Sequence, residues 1–413
     1  MPHRRLSLPA LLLACLGCSA LLGCPADPQA RFAEAKRLRE AGRPADAIPI
    51  LAALLRDAPG DFRLHLEQAA ALHAAGRAAE ALRAVGSAIE ADPQSTDARL
   101  LRGEILGALG RDDEALAELR RVVAADPRKH GAHRTMAFIH ARAGRLQNAF
   151  NQFEKEMAVN PGDTQTLTEA GILALQAGRV PEAAALLERA VSGDSRSTRA
   201  HRYLAKVRFR QKRDSEGVQE QRLALDLDPD NVDLLVEHVR VLFNHGQPAE
   251  SADVLRQAID RGLQDPRLYL EMSHQAGTRL DSDGAIEALH KAITLDAGFA
   301  EAHFALGKAL LHQGKLDEAM TSFREANRLA PADPYALFYI GSVLADQGQL
   351  KEAIDDYRRS LQLDPLNPKA HYALGQALLR SGSRTEAEAE FALHAEILKK
   401  LRDSKQPGTA TTE

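Results

Sequence analysis

The 413-residue sequence has no Trp, only three Cys and only 4% aromatic residues. A core with so few aromatic side chains must be built mainly from Ala and Leu, which favours closely packed helices over sheets. The cysteines, at positions 15, 18 and 24, all precede the bulk of the chain, so disulfides cannot hold its fold together. The formal net charge of -4 gives no general attraction to nucleic acid. These absences exclude a disulfide-rich fold and argue against a nucleic-acid-binding protein.

The first 24 residues combine a basic start with an uncharged apolar segment over residues 6–23. This segment is short for a bilayer-spanning helix and is interrupted by Pro9, so it predicts a signal peptide over residues 1–23. It ends in Leu21-Leu22-Gly23-Cys24, which resembles the lipobox of bacterial lipoproteins. That resemblance implies cleavage before Cys24, lipidation of its thiol and a short linker over residues 24–27. The alternative is an ordinary secretory signal with an incidental cysteine; Cys18 is a poorer site.

The expected location follows from this lipidation. Two or more acyl chains anchor a protein stably where a single chain does not. In lipoproteins of this kind an Asp after the Cys retains many members at the inner membrane, and this chain has Pro25 there. We therefore expect a protein anchored by lipid in the bacterial envelope, facing the periplasm, with the outer membrane favoured. The lipid is the only membrane contact that the sequence predicts.

A 34-residue period runs through the rest of the chain. Gly stands at nine of eleven positions in this register, and Lys212 and Leu280 hold the other two. An Ala series five residues later and a Pro series seventeen residues later keep the same register. The period tiles residues 28–401 as eleven copies and leaves a polar tail over residues 402–413. The nine glycines are Gly42, Gly76, Gly110, Gly144, Gly178, Gly246, Gly314, Gly348 and Gly382.

Each copy predicts two antiparallel helices and no strand. In the ninth copy, apolar residues recur at helical spacing on either side of Gly314, which stops the first helix. Pro331 marks the break before the next copy. Small residues would let the two helices of a copy approach closely. The apolar positions are Ala302, Ala305, Leu306, Ala309 and Leu310, then Leu316, Ala319, Met320, Phe323 and Ala326.

These positions resemble the tetratricopeptide repeat, most closely in the ninth and tenth copies. The resemblance implies an all-α solenoid of about eleven helix-turn-helix repeats, forming a right-handed superhelix whose inner groove is lined by the first helix of each copy. Copies six and eight lack the turn glycine and are predicted to be softer joints. The matching residues are Gly307, Gly314, Ala319, Phe323, Ala326 and Pro331, then Gly341, Gly348, Ala353, Tyr357, Ser360 and Pro365.

The sequence gives no sign of catalysis, a metal or a cofactor. It has no phosphate-binding glycine loop, no zinc-protease motif and no nucleophile elbow. Five histidines hold the fourth position of their copies, where the family has Trp, but equal register places them at separate sites and predicts packing or groove lining. We therefore expect a non-enzymatic protein. These histidines are His65, His133, His201, His303 and His371.

A basic strip is the one local charge anomaly, with eight cations and no acid between Arg196 and Arg213. The resemblance assigns several of these cations to the groove, where one sign of charge would favour a carboxylate or phosphate ligand. The alternative is a solvated helix balanced by acids such as Glu169, Asp233 and Glu237. The candidate anion-binding residues are Arg134, Arg142, Arg199, Arg202, Lys206, Arg210 and Arg240.

A second candidate patch is apolar and comprises Phe304, Tyr335, Phe338 and Tyr372 at groove positions. These aromatics either anchor a partner or pack between copies. The patches together predict a protein-protein interaction scaffold that binds proteins or peptides in its groove and assists an envelope assembly or secretion system. The alternatives are a polysaccharide-binding lipoprotein and the interaction subunit of a partner glycosyltransferase.

Overall fold

The computed structural model describes residues 27–279 and 281–405. The predicted signal peptide and Cys24 lie outside these residues. The described part contains 22 α-helices and no strand. The helices are α1 Pro28–Glu40, α2 Pro44–Asp57, α3 Phe62–Ala74, α4 Ala78–Ala91, α5 Thr96–Ala108, α6 Asp112–Ala125, α7 Ala132–Arg142, α8 Leu146–Val159, α9 Thr164–Gln176, α10 Val180–Gly193, α11 Thr198–Arg210, α12 Asp214–Leu227, α13 Val232–Asn244, α14 Pro248–Asp260, α15 Pro266–Thr278, α16 Ser282–Leu295, α17 Ala300–His312, α18 Leu316–Leu329, α19 Pro334–Asp346, α20 Leu350–Leu363, α21 Pro368–Arg380 and α22 Arg384–Lys405.

The helices confirm the predicted all-α fold of paired helices. Each 34-residue copy contains one pair, with the odd-numbered helix first. α1 begins at Pro28 and α21 at Pro368, which are the first residues of the first and last predicted copies. The final helix continues to Lys405, so it includes the first residues of the predicted polar tail. The right-handed superhelix stays a prediction.

The turn between the two helices of a copy explains the glycine series. All nine glycines have a positive φ, a left-handed conformation that side chains with a Cβ disfavour. At Gly76 the turn closes with two backbone hydrogen bonds, from Gly76 to His73 at 3.0 Å and from Arg77 to Leu72 at 2.8 Å. Lys212 adopts the same conformation with φ 59° although it is not glycine. The sixth copy therefore keeps the turn geometry despite its substitution.

A close contact between the two helices of several copies explains a second set of glycines. A Cβ added to Gly307 of α17 would lie 2.6 Å from the ring of Phe323 on α18. A Cβ added to Gly341 would likewise collide with the ring of Tyr357, and one added to Gly375 with the ring of Phe391. A large apolar side chain of the second helix thus packs directly against the backbone of the first.

The first helix of most copies begins with a side-chain cap from the last residue of the preceding copy. Asp61, for example, accepts a hydrogen bond from the backbone N–H of Arg63 at 2.8 Å. Such caps satisfy backbone donors that a helix leaves open at its start. The other capping residues of this position are Ser95, Asp163, Ser197, Asn231, Asp265, Asp333 and Asn367.

The chain divides into two compact units, Met1–Val207 and Arg208–Glu413, with the boundary inside α11. Each unit has its own apolar core. In the first, Phe153 and Leu187 are among the fully buried side chains, and in the second Phe323 and Leu268. A search of the described residues found no helix with the length and hydropathy needed to cross a bilayer.

Candidate binding sites on the first helices

The predicted anion-binding cations of the first unit are largely paired with carboxylates of their own copy or of the preceding one. Arg134 donates to Asp163 at 2.8 Å, and Arg142 forms an ion pair with Asp112. Arg199 of α11 lies 2.6 Å from the buried carboxylate of Glu169 on α9. This last pair agrees with the alternative in which neighbouring acids balance the basic strip.

The environment of Glu169 joins two of these predicted site residues. Burial raises the pKa of this carboxyl, and the positive charges of Arg199 and Arg134 oppose that rise. The two arginines thus act on one carboxylate although they lie two copies apart in the sequence. Arg202 and Lys206 also have interaction partners, and the amino group of Lys206 lies 5.0 Å from the ring centre of Tyr203.

The second unit contains two of the predicted anion-binding cations, Arg210 and Arg240, and their surroundings differ. Arg210 is exposed at the end of α11. Arg240 of α13 donates to Glu271 of α15 at 2.7 Å, although 56% of the Arg240 side chain stays exposed. Burial opposes ionisation of Glu271, but its interactions with the nearby His274 and with Arg240 outweigh the effect of burial and lower the pKa of this carboxyl. Glu271 and His274 are site residues that sequence reasoning missed.

The fourth-position histidines have a structural role that their register did not reveal. The Nε2 atoms of His65, His201, His303 and His371 each donate to the backbone carbonyl six residues earlier, which belongs to the preceding copy. His133 instead bonds to Gln152 at 2.7 Å through Nδ1. Across the described residues no group of three or more His, Cys, Asp or Glu is arranged to hold a metal ion.

The predicted apolar patch divides into packed and exposed members. Phe304 contacts Phe323 and Tyr339 with ring centres 5.8 and 5.4 Å apart, and Phe338 contacts Tyr339 at 5.2 Å. Phe304 and Phe338 are therefore half-buried between helices. Tyr335 and Tyr372, by contrast, are 51% and 47% exposed. Packing thus accounts for Phe304 and Phe338, whereas partner binding by the exposed Tyr335 and Tyr372 stays a prediction.

A groove in the second unit brings residues of copies seven, eight and nine together. It has a volume of about 520 Å³ and lies along α13, α15 and α17, with two residues of α16 at its base. Phe304 and Arg240, both predicted site residues, line it beside Gly277, His274 and Lys308. The sequence signal for this groove was Gly277 near the end of α15, at a position where the third copy also has glycine, Gly107, and the other copies carry larger side chains.

Comparison with known families agrees with the repeat architecture. Profiles of the tetratricopeptide repeat match residues 32–96, 168–232 and 270–334, and a second profile of this repeat matches residues 72–137. A profile described as the TPR repeat matches residues 341–382. These ranges together span more than half of the chain. No curated protein shows significant similarity to it.

Several solved structures are similar in fold. Yeast Tom70 is 15% identical with a TM-score of 0.47, over 90% of this chain and 92% of that chain. PilF of Pseudomonas aeruginosa is 20% identical with a TM-score of 0.42, over 50% and 94%. MamA 41-end from Desulfovibrio magneticus RS-1 is 22% identical with a TM-score of 0.38, over 41% and 95%. The matched profiles and the eleven helix pairs identify the chain as a tetratricopeptide repeat protein.

Proposed function

We propose that this protein is a lipid-anchored scaffold of the bacterial envelope, which binds partner proteins or peptides along its first helices and assists an assembly or secretion system. Proteins of this repeat family bind other proteins and peptides. The observation that carries the proposal is the set of exposed side chains at groove positions, above all Tyr335 and Tyr372. Exposed aromatics of this kind are frequent anchors at protein interfaces.

The proposed anchor rests on the sequence Leu21-Leu22-Gly23-Cys24 after a basic and then apolar segment. Metabolic labelling with palmitate tests it directly. We expect the Cys24→Ala variant to incorporate no label, because the acylated thiol is removed, and the Cys18→Ala variant to be labelled as the wild type. Undiminished labelling of Cys24→Ala would contradict lipidation at this residue. The proposed outer-membrane location is tested by separating the two membranes of the labelled cells.

Partner binding is tested by placing a photo-crosslinking amino acid at position 372 of α21. The matched control is position 223, because Leu223 on the second helix α12 is similarly exposed at 46%. We expect position 372 to give a discrete adduct in cells and position 223 to give none. Equal yields, or no adduct at either position, would speak against a groove that binds a partner.

The same experiment separates the alternatives. After protease digestion, a protein partner leaves a peptide of a second sequence attached to the peptide that carries position 372, whereas a polysaccharide leaves sugar attached to it; mass spectrometry distinguishes the two. Identification of a glycosyltransferase by mass spectrometry would support the third possibility, an interaction subunit of such an enzyme.

A further inference from the structure

We propose that the groove between α13, α15 and α17 is a subsite for a short acidic segment of a partner, and that it takes one large apolar side chain of that segment. The inference rests on the proposed function and adds to it the chemistry of the ligand and the place where it binds. Three observations carry it: the room at Gly277, the apolar base of the groove and the charges on its rim.

The groove has space for a ligand side chain because small residues line it at Gly277 and on α17. A Cβ built on Gly277 meets no atom within 4 Å, so packing does not require glycine there. Gly307 differs, because its added Cβ would collide with Phe323 at 2.6 Å. Ala305 and Ala309 of α17 line the opposite side. The volume of about 520 Å³ lies within the range of about 300 to 1,000 Å³ typical of ligand pockets.

The base of the groove is apolar and comes from two copies. Leu270 of α15, Leu289 of α16 and the half-buried ring of Phe304 line it. The hydroxyls beside these residues are already occupied, because Ser273 donates to the carbonyl of Leu270 at 2.7 Å and Thr278 donates to that of Gln275 at 2.8 Å. An apolar side chain therefore suits this base better than a polar one.

The rim favours negative charge next to that side chain. Glu271 is only 6% exposed and is occupied by Arg240 and by His274, whose Nδ1 lies 3.7 Å from it. The exposed charges on the rim are then the outer part of Arg240, Lys308 and one carboxylate, Glu301. The Lys308 amino group lies 5.9 Å from the ring centre of Phe304. Carboxylates flanking an inserted aromatic residue would meet both cations.

The test uses the full-length protein in detergent and a fluorescein-labelled peptide, Gly-Asp-Ser-Phe-Asp-Gly, measured by fluorescence anisotropy. One control peptide has Ala in place of Phe, and another has Lys in place of both Asp residues. We expect saturable binding of the first peptide and at least tenfold weaker binding of both controls. Higher salt should weaken binding of the first peptide, because exposed charges contribute to it.

Two variants locate the binding site. Gly277→Leu should weaken binding at least tenfold by filling the groove, while its circular dichroism spectrum stays that of the wild type. Gly86→Leu on α4 is the matched control, since a Cβ there also meets no atom within 4 Å, and it should bind as the wild type. Lys308→Glu, a change of an exposed side chain, should weaken binding at least threefold and reduce its salt dependence.

The outcomes separate this inference from the proposed function. Absence of peptide binding, or equal binding by wild type and both Gly277→Leu and Lys308→Glu, overturns the subsite. If either of those results is obtained but position 372 still gives a cellular adduct, the subsite is wrong and the scaffold function is still supported. Groove-dependent peptide binding without any cellular adduct supports the subsite and contradicts the scaffold function instead.

Discussion

Lys212 shows how strongly the repeat imposes its turn on an unsuitable residue. Its φ of 59° lies in the left-handed region, where glycine stands in the nine regular copies. A side chain in this conformation costs about 1 kcal/mol relative to glycine. The turn persists because its backbone hydrogen bonds form as elsewhere, with Lys212 donating to Phe209 at 3.0 Å and Arg213 donating to Arg208 at 2.9 Å.

We therefore predict that Lys212→Gly raises the free energy of unfolding by about 1 kcal/mol. The converse substitution, Gly246→Lys, should lower it by a similar amount, because Gly246 has a φ of 77° in the next copy. Urea unfolding followed by circular dichroism measures both changes. A lower midpoint for Lys212→Gly would mean that the lysine side chain stabilises the turn by contacts that outweigh the backbone strain.

His238 on α13 is a buried titratable group whose charge the fold disfavours. It is 1% exposed, and no hydrogen-bond partner of its Nδ1 is found in the described part of the chain. Burial, helped by the positive charge of Arg222, lowers the pKa of His238 to about 4. The unfolded chain would bind a proton near the ordinary value of 6.5, so it takes up a proton between pH 6.5 and 4 that the folded chain does not.

This difference predicts that stability is fully present above pH 6.5 and falls as the pH drops towards 4. The loss from this one group amounts to about 3 kcal/mol, since one pKa unit corresponds to about 1.4 kcal/mol. His238→Leu should flatten the decline of the unfolding free energy between pH 6.5 and 4. His290→Leu on the exposed surface of α16 is the control and should leave the pH profile unchanged. An unaltered slope in His238→Leu would show that other groups cause any acid sensitivity.

At the scale of the helix pair, Gly307 and Gly86 distinguish two effects of glycine: its low helix propensity and the close approach of helices that it allows. Both lie inside helices, where replacement by Ala favours the helix by about 0.5 to 1 kcal/mol. At Gly86 the new methyl group meets no atom within 4 Å, whereas at Gly307 it meets the Phe323 ring at 2.6 Å. Only the second position depends on the close approach of two helices.

We predict opposite signs for the two substitutions. Gly86→Ala should raise the free energy of unfolding by about 0.5 to 1 kcal/mol. Gly307→Ala should lower it by about 1 to 2 kcal/mol, because overpacking costs more than the helix gains. Urea unfolding of the two variants beside the wild type measures this. Stabilisation by Gly307→Ala would show that Phe323 can move away at little cost.

The fourth copy shows where the repeat pattern stops predicting local structure. α7 begins only at Ala132, after Gly131 with a φ of 86°. The fully buried carboxylate of Glu156 accepts from the backbone N–H groups of Gly131 at 2.7 Å and Arg134 at 3.2 Å. Glu156 occupies a position where the repeat usually has Ala, and its carboxylate replaces the usual cap. Periodicity cannot predict this, because the donors and the carboxylate belong to different helices.

At the scale of the whole chain, the helix boundaries could be predicted from the sequence because their signals are local. A turn glycine such as Gly314 and a following break such as Pro331 act through their own backbone, so the 34-residue period fixes each pair. The binding residues could not be predicted in the same way. The register placed Arg199 in the groove, but its pairing with Glu169 depends on the neighbouring copy. The groove at Gly277 likewise needs side chains from three copies.

The stacking of repeats also predicts how far along the chain a destabilising substitution lowers local stability. Each pair buries its apolar face mainly against its neighbours in sequence, so stability is a sum of nearest-neighbour contributions. Destabilising α17 by Gly307→Ala should therefore speed amide hydrogen exchange in α15 to α20 and leave α3 to α6 at the wild-type rate. Gly171→Ala, whose added methyl group would meet Leu187 at 2.6 Å, should reverse this distribution, with faster exchange around α9 and α10 and no change in α19 to α22. Exchange read by mass spectrometry on the two variants measures both. Faster exchange along the whole chain in either variant would mean that the eleven repeats unfold as one cooperative block.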